Sequence, residues 1–240
     1  MKFSTFIAVD KKYLAQLKKT IPTWEKYRRE IFENPLFIIY DHDQIRRADL
    51  DWIQHPAVRM IAWPPAIANP YKSQREKMLS ALVWAPVRHC TTDWYLKVDC
   101  DTWATRQADW IKPSWFTDDP AFVAAPWGYT KPADQIPKLD DWADGISGLA
   151  NYPRLNLVPT PGSSMLRHKR MCSWVFFGNT AWTRRMAKFF PPGNLPCPSQ
   201  DGTLWFMAAR TGAHYVTMNP KRAGWRNGKL GEIPEQEPDE

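Results

Sequence analysis

The chain has 240 residues, of which 44% are hydrophobic and 24% charged, enough apolar mass for a sizeable core and too much for a disordered chain. Its 32 Lys and Arg outnumber 25 Asp and Glu, giving a formal charge of +7. The longest apolar runs, such as Leu36–Tyr40 and Trp174–Phe177, are strand-sized, whereas a spanning helix needs about 20 apolar residues, so no integral membrane association is expected.

Phe3–Val9 reads as a buried strand. It ends in Asp10 and two lysines without a small-residue cleavage site, unlike a signal peptide. A helix follows from Lys11 to about Ile31, with Tyr13, Leu14, Leu17 and Ile21 on its apolar face and Pro22 predicted to break or kink it. Leu36–Tyr40 and Val58–Trp63 are the second and third strands, continuous apolar runs of the kind found in parallel sheets. Ser73-Gln-Arg-Glu76 has the capping-box pattern and opens a helix through Met78, Leu79, Leu82 and Ala85, predicted to end before Pro86. Trp94–Val98 is the fourth strand. The alternation predicts right-handed crossovers and a mostly parallel α/β sheet. Ligands of such sheets bind at the carboxyl ends of the strands, which directs attention to Asp10, to Asp41-His42-Asp43 and to Asp99-Cys100-Asp101.

The second half reads differently. Ala121–Trp127 and Met171–Phe177 are strands. Gly128–Arg170 between them is an irregular stretch rich in Pro, Gly and Asp, with a basic cluster at Arg167-His168-Lys169-Arg170; a stretch of this length inside a domain is usually functional or mobile. Asn179 or Thr180 caps a helix through Phe190, a further helix runs from Ser199–Asp201 to about Arg210, and His214–Met218 is a last strand. The end, residues 231–240, holds five acids and no base and reads as a disordered acidic tail. The other 230 residues therefore carry an excess of 12 positive charges, which suits an anionic partner or a solvated basic surface. Cys90, Cys100, Cys172 and Cys197 include no C-x-x-C pair, so a zinc site is not expected and the thiols read as reduced core residues, consistent with a cytoplasmic protein.

The strongest chemical signal is WYLKVDCDT, Trp94–Thr102. Two carboxylates one residue apart at the end of a buried strand can hold a hard divalent cation and a diphosphate bridged by it. D-x-D alone is weak, and the chain has three: Asp41–Asp43, Asp49–Asp51 and Asp99–Asp101. Asp49–Asp51 lies in a polar surface segment and Asp41–Asp43 follows only one crossover. Asp99–Asp101 follows a complete nucleotide-sized unit.

Over residues 3–220 the order of features resembles the GT-A-fold glycosyltransferases. It comprises the N-terminal strand and helix, SQREKMLSAL leading into TTDWYLKVDCDT, WVFFGNTAWTRR as a glycine-containing loop and helix, and SQDGTLWFMAARTG as an acid-bearing helix start. The resemblance implies a single GT-A-like domain over residues 1–230, with a nucleotide-sugar half to about residue 102 and an acceptor half beyond it. It implies Mn²⁺ or Mg²⁺ and a nucleotide-sugar donor, a UDP-sugar by preference. Asp99 and Asp101 would form the metal and diphosphate site, Asp101 the first ligand. Asp10 and Asp41 would lie at the nucleotide, Asp41 toward its base or ribose. Arg75 and Lys77 would reach the donor phosphates. Asp201 would be the general base, although Gln200 stands where many relatives have Glu. The family's late histidine ligand is missing from Asn219–Lys229, where Asn227 would substitute as an oxygen ligand, or Arg222 or Arg226 would share the role.

The acceptor is either a saccharide or DNA carrying hydroxylated bases. Gly128–Arg170 and Asn219–Lys229 would shape its site, with Arg167, Lys169, Arg170, Trp225 and Arg226 as candidate contacts and Trp174, Trp182 and Trp225 as interleaved aromatics. A nucleotidyltransferase would show a glycine-rich loop after its first strand, where this chain has VDKKYLAQ. A basic nucleic-acid-binding module has no use for paired carboxylates at a strand end.

Overall fold

The computed structural model describes residues 1–63, 74–127, 135–154, 170–189 and 200–234, with the side chains of 74–76, 79, 126–127, 135–137, 170–173 and 200–201 outside the description. In chain order the elements are β1 (Phe3–Val9), α1 (Leu14–Tyr27), β2 (Leu36–Asp41), β3 (Val58–Trp63), α2 (Gln74–His89), β4 (Trp94–Val98), β5 (Thr102–Ala104), β6 (Phe122–Trp127), α3 (Gln135–Asp144), β7 (Arg170–Asn179), α4 (Thr180–Ala187), α5 (Gln200–Thr211), β8 (Val216–Thr217) and β9 (Trp225–Asn227). Seven strands form one sheet in the order β3-β2-β1-β4-β7-β6-β8, and β5 pairs with β9 in a separate ribbon. β1 is parallel to β2 and β4, β2 to β3, and β6 to β8, while β7 runs antiparallel to both β4 and β6.

The central strands are apolar along their length because both faces of the sheet are covered. Phe6, Ile39, Tyr95, Phe122 and Phe176 join one core with residues of α2, α3, α4 and α5. Phe3, Ile7, Leu96, Val98, Val175 and Phe177 join the other with α1, Trp110 and Trp225. The result is a mixed, mostly parallel α/β sandwich of the expected class.

Packing overrides two predicted helix breaks. α1 contains Pro22 and α2 runs through Pro86 to His89. A proline inside a helix costs roughly 3 kcal/mol, which the burial of Leu17, Ile21 and Trp24 in α1 and of Leu82, Val83 and Ala85 in α2 offsets. Asn179 caps α4 as predicted, its side chain accepting from the Trp182 amide at 2.9 Å. Gly178 lies within β7 rather than in a loop. It stands opposite Tyr95 of β4, and a Cβ there would overlap the tyrosine ring, so the glycine admits that ring to the core.

Two further boundaries need correction. The stretch 128–170 is not wholly irregular, since it contains α3. The first residues of the tail expected from Gly231 are ordered: Leu230–Glu232 forms a 3₁₀ turn and Ile233 is buried. Residues 235–240 lie outside the described residues. Among the described residues no helix is long and apolar enough to cross a membrane.

Candidate active site

Because β2 and β4 flank β1 and both run parallel to it, the three carboxyl ends share one edge of the sheet, and each delivers an aspartate there. Asp10 follows β1 and caps the 3₁₀ turn Lys11–Tyr13 by accepting from the Tyr13 amide at 3.2 Å. Asp41 closes β2, and Asp99 and Asp101 follow β4 in a turn fastened by the Thr102 amide on the Asp99 carbonyl at 3.0 Å.

Cys100, between those two aspartates, points inward. Its thiol donates to the Ala8 carbonyl at 3.0 Å, and its own carbonyl accepts the Thr20 hydroxyl at 3.0 Å. Burial, and then the charges of Asp99, Asp101 and Asp10, push the thiol well above its ordinary pKa. It therefore anchors the turn as a neutral group and is no thiolate ligand. Cys90 and Cys100 are both free; the side chain of Cys172 and the whole of Cys197 lie outside the described residues.

Asp101 meets the ribbon of β5 and β9. Asn227 stands opposite Thr102 in that ribbon, and its amide donates to Asp101 Oδ1 at 2.6 Å and to Thr102 Oγ1 at 3.0 Å. Burial raises the Asp101 pKa above the ordinary carboxylate value, and the Asn227 hydrogen bond only partly offsets this. The charges of Lys97 and Lys12 also favour its ionised form, but its hydrogen-bond partner is a neutral amide, and such a carboxylate suits a hard cation with oxygen ligands. Asn227 thus stands where an oxygen ligand was expected, but it presents its NH₂ to Asp101. Among the described residues no three His, Cys, Asp or Glu side chains converge on one point.

Two cations went unnoticed in the sequence. Lys97, within β4, is 2% exposed and its ammonium is paired with Asp99. Arg28, just past α1, is fully buried. Its guanidinium donates to the carbonyls of Ala223 at 2.6 Å and Arg106 at 2.9 Å, and lies 4.8 Å from the Trp225 ring centre and 5.5 Å from that of Trp110. Burial lowers its pKa to about 10. Gly224 takes a positive φ of 75° beside it, where a Cβ would crowd the guanidinium. Arg28 therefore clasps the segment that carries Asn227 to Asp101.

The candidate donor contacts at β2 are paired with each other. Asp41 is wholly buried and Lys77 is 3% exposed. Lys77 Nζ lies 2.6 Å from Asp41 Oδ1 and 2.7 Å from Asp43 Oδ2. Burial alone would push the Lys77 ammonium down, but the hydrogen bonds to both aspartates outweigh it and its pKa is raised. The three groups form an ion cluster joining β2 to α2, so Lys77 and Asp41, the candidate donor contacts at β2, are engaged with one another here. Asp49 and Asp51 are surface residues paired with Arg46 and Arg47, as expected.

On the acceptor side, Trp225 is corrected to a core residue: it is 1% exposed and packed edge-on against Trp110. Trp182 is also buried. Arg226 is exposed on β9, its guanidinium donating to the Trp225 carbonyl at 3.2 Å. Arg75 lies on α2, Arg170 opens β7 and Asp201 is the second residue of α5, all with side chains outside the described residues. Arg167 and Lys169 lie wholly outside them.

The chain matches no protein-family model and no curated protein. Among solved structures it is similar to the galactosyltransferase LgtC in complex with donor and acceptor sugar analogues, with a TM-score of 0.54, 16% identity, and 89% of this chain and 73% of that one covered. It is also similar to mouse xyloside xylosyltransferase 1 in its apo form, with a TM-score of 0.52, 7% identity, and 91% and 86% covered. The chain has the GT-A-type fold of these glycosyltransferases.

Proposed function

We propose that the protein transfers a sugar from a nucleotide-sugar donor, by preference a UDP-sugar, to an acceptor hydroxyl. The observation that carries this reading is Asp101, a partly buried carboxylate at the end of β4 whose side-chain partner is a neutral amide. It lies on the strand edge where open α/β sheets bind ligands, and the fold belongs to a class used by glycosyltransferases.

Asp101 would hold Mn²⁺ or Mg²⁺ together with oxygens of the donor diphosphate. Such an ion, when bound, neutralises charge on the diphosphate leaving group. Asp10 and, through the α2 start, Arg75 are proposed to border the nucleotide, and Asp201 to act as general base in a direct displacement. The acceptor oxygen bonds to the anomeric carbon, the bond from that carbon to the diphosphate breaks with its electron pair leaving on the diphosphate, and the hydroxyl proton passes to the Asp201 carboxylate. Asn227 and Arg28 orient Asp101 and its ribbon. We take the compartment to be the reducing cytoplasm, in keeping with the free thiols.

A saccharide is the first acceptor we propose; burial of Trp182 and Trp225 withdraws two of the three interleaved aromatics from stacking on a sugar and on a base alike. The basic excess and exposed Arg226 keep hydroxymethylated DNA as the second acceptor. Duplex binding that falls steeply with salt would identify it.

A panel of nucleotide sugars assayed with Mn²⁺ tests the reading. Release of a nucleoside diphosphate from one donor, stopped by a chelator, is expected. Release of a sugar 1-phosphate instead would indicate nucleotidyl transfer, and no turnover or binding of any donor would overturn the proposal.

A further inference from the structure

Lys97 is out of place in a strand core. It sits in the middle of β4, in register with Phe6 of β1 and Phe176 of β7, and is 2% exposed. Its neighbours in the sheet are aromatic, and an apolar residue would satisfy the packing. A buried ammonium carries a desolvation penalty of several kcal/mol unless it is paired. Its pairing with Asp99 therefore commits the first carboxylate of the D-x-D pair to a cation that the chain itself supplies.

That commitment changes what the pair offers a metal. A divalent ion approaching Asp99 meets a carboxylate already neutralised, with an ammonium beside it. Asp101 differs, since its carboxylate is bound by the uncharged amide of Asn227. Of two aspartates one residue apart, one is thus held in an ion pair and the other is hydrogen-bonded by a neutral amide, with the charges of Lys97 and Lys12 acting on it besides.

We infer that Lys97 is a built-in counter-ion of Asp99 that withholds this carboxylate from the metal and leaves Asp101 as the one carboxylate ligand of the pair. The inference rests on the proposed metal and diphosphate site. Lys97 is accordingly a positioning residue that sets how strongly the protein itself binds the cation.

The test is Mn²⁺ binding, read from the electron paramagnetic resonance of the free ion, with and without UDP. Asp101→Asn weakens binding at least tenfold. The double variant Lys97→Met with Asp99→Asn replaces the ion pair by uncharged groups of similar size, a change that cores often tolerate; it keeps Mn²⁺ affinity within about threefold of wild type. Lys97→Met alone releases Asp99 and tightens binding about tenfold, about 1.4 kcal/mol. The double variant decides the matter if this single variant does not fold. Loss of affinity in the double variant as large as in Asp101→Asn makes Asp99 a ligand and overturns the inference. Wild-type protein that binds no Mn²⁺ even with UDP overturns the underlying metal reading instead.

Discussion

Asp41-His42-Asp43 and Asp99-Cys100-Asp101 are the same motif in the same setting, each at the carboxyl end of a parallel strand and each answered by a buried lysine. At β2, Lys77 bridges both aspartates and the negative pair is closed upon itself. At β4, Lys97 takes Asp99 and the second aspartate is left to Asn227, a neutral donor from the far end of the chain. The spacing of the acids is therefore not what makes a site. The lysine on α2 reaches both carboxylates of its pair, whereas the lysine inside β4 pairs with the first of its two. The first motif fastens a helix to a strand, and the second is the one we propose to hold a ligand.

The comparison breaks most visibly at Asp101. Asp101→Asn should abolish sugar transfer, a loss of at least about 10²-fold of the order found when a transition-state charge loses its partner, with an unchanged circular dichroism spectrum. Asp43→Asn should leave transfer near wild type in the same assay. Asp201→Asn should lower kcat by about 10²–10⁴-fold with little change in donor KM, as removal of a general base does; steady-state kinetics separate these terms. Lys77→Met should act on stability instead. Removing one member of a buried ion pair typically costs about 3–5 kcal/mol, and the exposed side of Asp43 places the expectation near about 3 kcal/mol, measured by denaturant unfolding. Asn227→Ala should weaken Mn²⁺ binding about tenfold, within the range of a group that orients a ligand.

The smallest effect is a pH dependence. The hydrogen bond from Lys77 holds the Asp43 carboxyl below its ordinary value of 3.8. A lowered folded-state value stabilises the fold fully above 3.8, and that contribution is lost as pH falls through the lowered value. The melting temperature of wild type should therefore exceed that of Asp43→Asn above pH 3.8, and the difference should shrink on further acidification.

The parallel half was legible because its signal is local. Strands such as Leu36–Asp41 and Trp94–Val98 are continuous apolar runs, and the acids that follow them mark the sheet edge by position alone. What escaped depends on partners distant in sequence. β5 and β9 have three residues each, too few for a periodicity, and Asn227 reaches Asp101 across 126 positions. α3 was hidden by Pro137, which falls in its first turn, where a missing N–H costs no hydrogen bond. Trp225 could be a stacking platform or core on composition alone, and the cation that packs against it, Arg28, comes from the other end of the chain. The burial of Lys97 was masked because a single lysine in an apolar strand gives no sign of which carboxylate receives it.

Calorimetric titration of UDP in the presence of Mn²⁺ into wild type, Asp101→Asn and Asp43→Asn tests the contrast between the two motifs most directly. The account predicts metal-dependent UDP binding by wild type and Asp43→Asn, equal within about threefold, and at least tenfold weaker binding by Asp101→Asn, on the scale where tenfold is about 1.4 kcal/mol. Undiminished binding by Asp101→Asn, or a loss confined to Asp43→Asn, would contradict it.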